Sequence, residues 1–384
     1  MPTHSKLSLL EHFKDLPDPR VQGRTDHDLV DILVIALCCL LCGGETFNDM
    51  EDFGKAKEAW LRTFLRLPHG IPGHDTFNRV FAALKPEAFL ECFLRWTQSL
   101  RQMVAGEVVA LDGKALRRAR KPGQGPRYIV SAWASQNRLV LGQLKVADKS
   151  NEITAVPELL RALELAGCIV TIDAMGCQKK IAKEIIEADA DYVLALKGNH
   201  EKVHEEVKSF LDDAVAQAQA AAARPSGPRP ATTLDCVETV EKDHGRLEIR
   251  RHWQSDDLDW FADRDLWEGL RSVGMVESVR QVGEQAPTVE RRYYVCSLPR
   301  SAATFARAVR EHWGVENQCH WVLDVQMGED QSRARTGHAP ENLATLRRLA
   351  LNLLRRDQTK RRGIKGKQRN ASWNHDYLLH LLAF

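Results

Sequence analysis

Two stretches of this chain deliver an acid where it could do chemistry. Val108-Val109-Ala110-Leu111 leads into Asp112, and Cys168-Ile169-Val170-Thr171-Ile172 leads into Asp173. Apolar runs rich in β-branched residues read as strands buried on both faces. A carboxylate leaving such a strand is costly unless a cation meets it. For Asp112 the candidates are a metal ion or the ammonium of Lys114, and the plain alternative is a turn-forming aspartate. A third acid, Glu316, lies on a later helical stretch where His312, Glu316 and His320 recur every four residues. One stripe on one helix rarely surrounds a transition metal. Carboxylates converging from separate elements instead suit Mg²⁺, which takes oxygen ligands and keeps several waters. Two such ions roughly 3.5–4 Å apart stabilise the attacking and leaving oxygens of a displacement at phosphorus, with water or a sugar hydroxyl as nucleophile.

The elements that must position these acids follow from periodicity. Val108–Asp112, Tyr128–Ser135 and Leu139–Ala147 read as three antiparallel strands, the last two joined by a turn at Gln136-Asn137-Arg138. An amphipathic helix over Ile153–Ala166, the strand ending at Asp173, a helix over Lys179–Ala188 and a buried strand Tyr192–Leu196 follow. That last portion is a strand–helix–strand crossover, so its strands are expected to be parallel. Upstream, Leu29–Cys42, Phe47–Arg66, Asp75–Leu84 and Glu87–Arg101 read as helices. The turn before Thr76, Asn78 and Arg79 resembles the entry to a helix-turn-helix reading helix, although a plain helical bundle fits as well. Downstream, a helix over Asn199–Ala223 fades into the linker Arg224–Pro230, followed by strand-like Leu234–Val240, Arg246–Trp253, Met275–Val282 and Arg291–Ser297. Ser301 then caps a helix through Trp313 or beyond.

Charge is informative through its distribution. The formal net charge is only +2, yet Arg347–Arg369 carries ten cations against the single acid Asp357, and Lys114, Arg117, Arg118, Arg120 and Lys121 form a second acid-poor cluster. Such blocks serve polyanions or stay solvated, and two of them favour the polyanion. Lys197, at the end of a buried strand, is a candidate phosphate contact or a snorkelling lysine, and Arg246, after His244-Gly245, is a DNA contact or an exposed turn residue. Nine scattered cysteines and a polar start without a signal-like apolar core imply a reducing cytoplasm. Cys39 and Cys42 sit in a helical apolar run that lacks a second pair at zinc spacing and is too short to cross a bilayer, so buried helix cysteines and no membrane role are expected.

The order of motifs resembles the DDE transposases of bacterial insertion sequences, in the branch that includes the H-repeat-associated proteins. The resemblance rests on Leu-Pro-Asp-Pro-Arg at Leu16–Arg20, Gly-Ile-Pro-Gly-His-Asp-Thr-Phe-Asn-Arg-Val-Phe at Gly70–Phe81 and Ala-Leu-Asp-Gly-Lys at Ala110–Lys114. It continues through Thr-Ile-Asp-Ala-Met-Gly-Cys-Gln at Thr171–Gln178, Leu-Lys-Gly-Asn at Leu196–Asn199, His-Gly-Arg-Leu-Glu-Ile-Arg at His244–Arg250 and His-Trp-Gly-Val-Glu-Asn at His312–Asn317. It implies an α/β, ribonuclease H-like catalytic core (105–223 and 299–345) carrying a mainly β insertion (224–298), preceded by a helical N-terminal domain (1–104) and followed by a basic C-terminal segment (346–384).

By that resemblance Asp112, Asp173 and Glu316 are the catalytic, metal-binding acids, holding two Mg²⁺ ions with Mn²⁺ as a substitute. Lys114, Arg117, Arg118, Lys197, Arg246, His312, Arg361 and Arg362 are the expected DNA contacts. The partners would be double-stranded DNA, as terminal inverted repeats and as target, bound by a homodimer in a bacterial cytoplasm and associated with the nucleoid. The broader group carries a tyrosine and an arginine before its glutamate and a lysine after it, where this chain has Val309, His312 and Leu323. His312 can replace the arginine as a phosphate contact when protonated or as a neutral donor. Glu311, Glu329, Asp330 and Glu341 compete for the role of third acid; helical spacing favours Glu316, and Asp330, following Gly328 in an expected turn, ranks second. The alternatives in function are an inactive or domesticated DNA-binding derivative and a stand-alone nuclease of the same fold.

Overall fold

A computed structural model describes residues 8–21, 23, 25–119, 127–146, 152–222, 233–243 and 245–383. The expected linker Arg224–Pro230, together with Arg120, Lys121 and His244, lies outside them. The architecture is mixed α/β, and the chain divides into two compact units: Met1–Gln102 with Gly113–Asn151 and Val315–Phe384, and Met103–Asp112 with Glu152–Gly314. The strand β1 (Val108–Leu116) runs from one unit into the other.

In the unit containing Glu152–Gly314, β1 pairs in parallel with β4 (Ile169–Ile172), which pairs in parallel with β5 (Asp191–Leu196). Parallel neighbours need a crossover, and α7 (Lys179–Glu187) supplies it between β4 and β5. Beyond β5 the sheet turns antiparallel, in the order β9 (Thr288–Cys296), β8 (Ser272–Val282), β7 (Arg246–Ser255) and β6 (Leu234–Asp243). The helix α9 (Ala302–His312) starts where the Ser301 hydroxyl accepts from Thr304 N–H, and it buries Phe305, Ala308 and Val309 against Val108, Ile169, Val193, Val276 and Tyr294. Helices α6 (Glu152–Arg161) and α8 (Glu201–Ala222) complete this unit.

In the other unit, α1 (Ser8–Phe13), α2 (Leu29–Leu41), α3 (Phe47–Leu61), α4 (His74–Ala83) and α5 (Pro86–Leu100) accompany the hairpin of β2 (Arg127–Ala134) and β3 (Leu139–Val146). They gather on α10 (Ala339–Arg356), which is buried from Ala339 through Leu354 and packs on α2, α4, α5 and β3. The helices α11 (Ile364–Trp373) and α12 (His375–Leu382) follow.

Three sequence expectations are corrected here. The strand expected to end at Asp112 continues to Leu116, because Lys114 and Leu116 turn inward on alternate residues as a paired strand requires. The helix expected through Trp313 or beyond is α-helical only to His312, and the helical run goes on with a changed winding, as π-helical turns over Val315–His320 and Val322–Gln326. Their wider winding breaks the four-residue stripe, leaving Glu316 exposed and His320 buried.

The basic segment, third, is only partly a displayed charge. Arg347 and Arg348 are buried within α10, and the Arg355 guanidinium lies 5.5 Å from the Trp133 ring centre. Lys367 donates to the Leu354 carbonyl at 2.8 Å and the Asp357 carbonyl at 2.6 Å, closing the C-terminal end of α10, where a cation is favoured. Lys360, Arg361, Arg362, Lys365 and Arg369 remain exposed.

Gly274 of β8 lies under α9, and a Cβ there would sit 2.6 Å from Phe305 Cζ. Gly274→Ala is therefore expected to cost about 1–3 kcal/mol through displacement of α9. Urea unfolding should show a lower midpoint at unchanged slope, and a wild-type midpoint would mean that the helix yields without cost.

Candidate active site

The parallel register places Leu111 opposite Ile172, so Asp112 and Asp173 are the next residues along two neighbouring strands. Asp112 is half-buried and Asp173 exposed. Asp173 caps the 3-10 turn Ala174–Gly176, its Oδ1 accepting from Met175 N–H at 3.1 Å and more loosely from Gly176 N–H at 3.5 Å. The Asn199 side-chain amide donates to the Ala174 carbonyl at 2.6 Å and braces the same turn. Glycine is favoured at 176, since a Cβ would clash with Ile172 Cγ2. The Asp-Ala-Met-Gly sequence thus sets the direction of the acid.

Asp173 opens onto a cleft that Thr171, Lys197, Arg292, His312 and Trp313 also line. Lys197 is exposed at the end of β5. His312 Nδ1 and Thr171 Oγ1 are 2.9 Å apart, which ties the last turn of α9 to β4. The Arg292 guanidinium lies 5.2 Å from the centre of the Trp313 ring.

As a donor set, Asp112 and Asp173 fit a hard divalent ion, which needs few protein carboxylates when water and phosphate complete its shell. No cluster of three or more His, Cys, Asp or Glu placed to hold a metal occurs among the described residues. Glu316 belongs to the other compact unit, where it is exposed on the first π-helical turn.

That unit puts Lys114 to a different use from the expected phosphate contact. Its ammonium is 9% exposed and is bound by Asp324, by Glu329 at 2.8 Å and by Asp330 at 3.7 Å. Burial opposes the Lys114 charge, but Glu329 and Asp324 hold its pKa above the ordinary value. Glu329 is buried, not a loose turn residue, and also receives Arg348 Nη1 at 2.8 Å. Burial alone would raise its carboxyl, yet Arg348 and Lys114 hold it well below the usual carboxylate range. Asp324 is pushed upward by burial against the pull of Lys114.

Among the other acids weighed for the third position, Asp330 faces Arg117 Nε at 3.4 Å, and Glu341 is buried between Arg127 at 2.8 Å and Lys145 at 2.7 Å. Glu311 pairs with Arg307 at 3.6 Å on α9. Of the expected DNA contacts, Arg117, Arg118, Lys197, Arg361 and Arg362 are exposed, while Arg246 is half-buried beside Glu248 at 3.4 Å.

Sequence reasoning missed Arg292 and the pairing of Lys114 with Asp324, Glu329 and Asp330. The second had a signal, since inward alternation from Leu116 makes Lys114 a buried cation in need of partners. Arg292 had none, because only the β5–β9 register sets it across from Lys197.

Glu329 carries a pH signature. Its folded pKa is depressed, so its contribution is complete above the unfolded value of about 4.3 and is lost as pH falls toward the folded one. Glu329→Gln should cost roughly 3–5 kcal/mol near neutrality, by leaving buried cations short of a partner. The gap to wild type should narrow from about pH 5 downward, measured by denaturant unfolding, and a gap independent of pH would refute the ion pairing.

Comparison with known proteins adds three findings. Residues 105–353 match the family model described as "Transposase DDE domain", and residues 10–97 match "DDE_Tnp_1-associated". The chain is 39% identical to "Putative transposase YncI" of Escherichia coli O157:H7, covering 98% of this chain and 94% of that protein. It is 37% identical to "H repeat-associated putative transposase YhhI" of Escherichia coli K12, covering 98% and 97%. Among solved structures, "Cryo-EM structure of piggyBac transposase synaptic complex with hairpin DNA (SNHP)" aligns at a TM-score of 0.44 with 11% identity, covering 97% of this chain and 76% of that one, a likeness too loose to argue from.

Proposed function

The chain belongs to the DDE transposase family, and from that membership we propose that it binds the terminal repeats of an insertion sequence and cleaves and joins DNA strands by in-line phosphoryl transfer. The observation that carries the reading is the register setting Asp112 beside Asp173. The order of β1 to β5, with β1, β4 and β5 parallel, supports a ribonuclease H-like core.

Asp112, Asp173 and Glu316 are the proposed ligands of two Mg²⁺ ions, with Mn²⁺ as a substitute. When bound, the ions supply positive charge at the phosphoryl oxygens and a more acidic water or sugar hydroxyl. The chain does the rest. The N–H groups of Met175 and Gly176 hold Oδ1 of Asp173 and fix its rotamer. Lys197 offers a point charge to backbone phosphate. The contact of Thr171 Oγ1 with Nδ1 orients the His312 ring, and in the tautomer that accepts from this hydroxyl at Nδ1 the Nε2 proton can be donated to a phosphate oxygen. Arg117, Arg118, Arg246, Arg361 and Arg362 are the proposed contacts to the rest of the duplex, and Lys114 is the anchor of the segment that follows Glu316. A homodimer on DNA in a bacterial cytoplasm fits the need to handle two element ends.

Asp112→Asn and Asp173→Asn should abolish strand cleavage and leave binding of element ends intact or tighter, because each removes a charge that repels phosphate. Cleavage within roughly tenfold of wild type in either variant would remove that residue from the site. Glu316→Gln should behave alike while Asp330→Asn still cuts, and the reverse pattern would make Asp330 the third acid. A wild type that cleaves without joining ends would be a stand-alone nuclease, and one that binds ends without cutting an inactive derivative.

Neutralising Lys360, Arg361, Arg362 and Lys365 together, with Lys367 kept for its structural contact, should weaken binding equally for specific and random DNA. The salt dependence should flatten by about 0.9 per lost phosphate contact, and an unchanged slope would take these side chains off the DNA.

A further inference from the structure

We infer that Arg292 and Lys197 form a phosphate-binding subsite in the cleft beside Asp173, which holds a DNA backbone phosphate adjacent to the one that reacts. The inference rests on the reading of the chain as a DNA strand transferase and adds a residue to it. In the antiparallel pairing of β5 with β9, Leu196 faces Tyr293, so the next positions outward are Lys197 and Arg292. Both side chains line the same cleft as Asp173. Asp173 enters it from the end of β4 and the cations from β5 and β9, with neighbouring strands about 4.8 Å apart. The arrangement separates a place for metal-bound phosphate from a place for phosphate held directly by the chain.

Arg292 is positioned rather than loose. Its guanidinium lies over Trp313, which follows α9 directly, and a stacked guanidinium keeps its N–H edge available for bidentate contact with phosphate. Its carboxylate neighbour is Glu290 at 2.8 Å, with the Glu290 side chain 64% exposed. A solvent-facing pair of that kind is weak and gives way readily to a phosphate. The contrast within the chain is Arg348, whose partner Glu329 is buried with it and which serves the fold.

The experiment uses the full chain and DNA ends in which single phosphates flanking the cleavage point are replaced, one at a time, by uncharged methylphosphonates. Wild type should lose roughly tenfold or more in cleavage at one flanking position, the scale of a lost charge-assisted hydrogen bond. Arg292→Gln should lose a similar factor on unmodified DNA and nothing further at that position, with Lys197→Gln intermediate. Equal further losses in wild type and Arg292→Gln at every position, or unmodified cleavage by Arg292→Gln within about twofold of wild type, would overturn the subsite.

Binding gives a readout independent of cleavage, since the salt slope for an end duplex should fall by about 0.9 in Arg292→Gln. If wild type binds DNA but never cuts it, the transferase reading fails, while a reduced slope still supports the phosphate contact and an unchanged slope removes it. Should Arg292→Gln not fold, Arg292→Lys, which keeps the charge and loses the planar fork, is expected to keep the salt slope and lose part of the positional effect. Full positional sensitivity in that variant would overturn the bidentate contact.

Discussion

The parallel pairing of β1 with β4 sets Asp112 beside Asp173, and the proposed chemistry depends on that register. Val108–Leu111 and Ile169–Ile172 are buried, so the register is fixed by what each side chain packs against. A slip of one residue would turn every side chain of the slipped strand to the opposite face and part Asp112 from Asp173. Covering Val108 and Ile169 with α9 makes the slip costlier still, since Phe305, Ala308 and Val309 fit that face. The same helix delivers His312 to Thr171, so the packing that holds the register also shapes the cleft.

A second constraint acts on the continuation of β1. Lys114 lies two residues beyond Asp112 and is buried, and a buried ammonium survives only with acids around it. Asp324 and Glu329 meet that need, and Arg348 completes the set. Asp324 lies in the second π-helical turn and Glu329 in the 3-10 turn that follows it, both on the segment after Glu316, and π-helical winding is rare and frequent at functional sites. The ion network thus gives that segment an attachment to Lys114.

Much of the architecture was legible from the sequence because periodicity and punctuation report it directly. The hairpin at Gln136-Asn137-Arg138, the strands ending at Ile172 and Leu196 and the N-terminal helices all occur near their expected positions. Alternation and helical spacing record which face of an element meets a core, a property local to each element. The motifs around Asp112, Asp173 and Glu316 likewise gave the family without coordinates, since an ordered series of short motifs is a linear signal.

What tertiary structure alone decided is which charges meet. A count of cations along Arg347–Arg369 cannot separate Arg348 and Lys367, held inside, from Arg361 and Arg362, displayed outside, because burial depends on what other elements bring to the same place. Lys114 and Glu329 are 215 positions apart, and Lys197 and Arg292 meet only through an antiparallel register between distant strands. The sequence by itself determined the types of residue that the proposed chemistry requires and the strands that carry them. The fold determined which cations are partners of carboxylates and which face the cleft, because electrostatic energy depends on distance in space and on burial, neither of which is written along the chain.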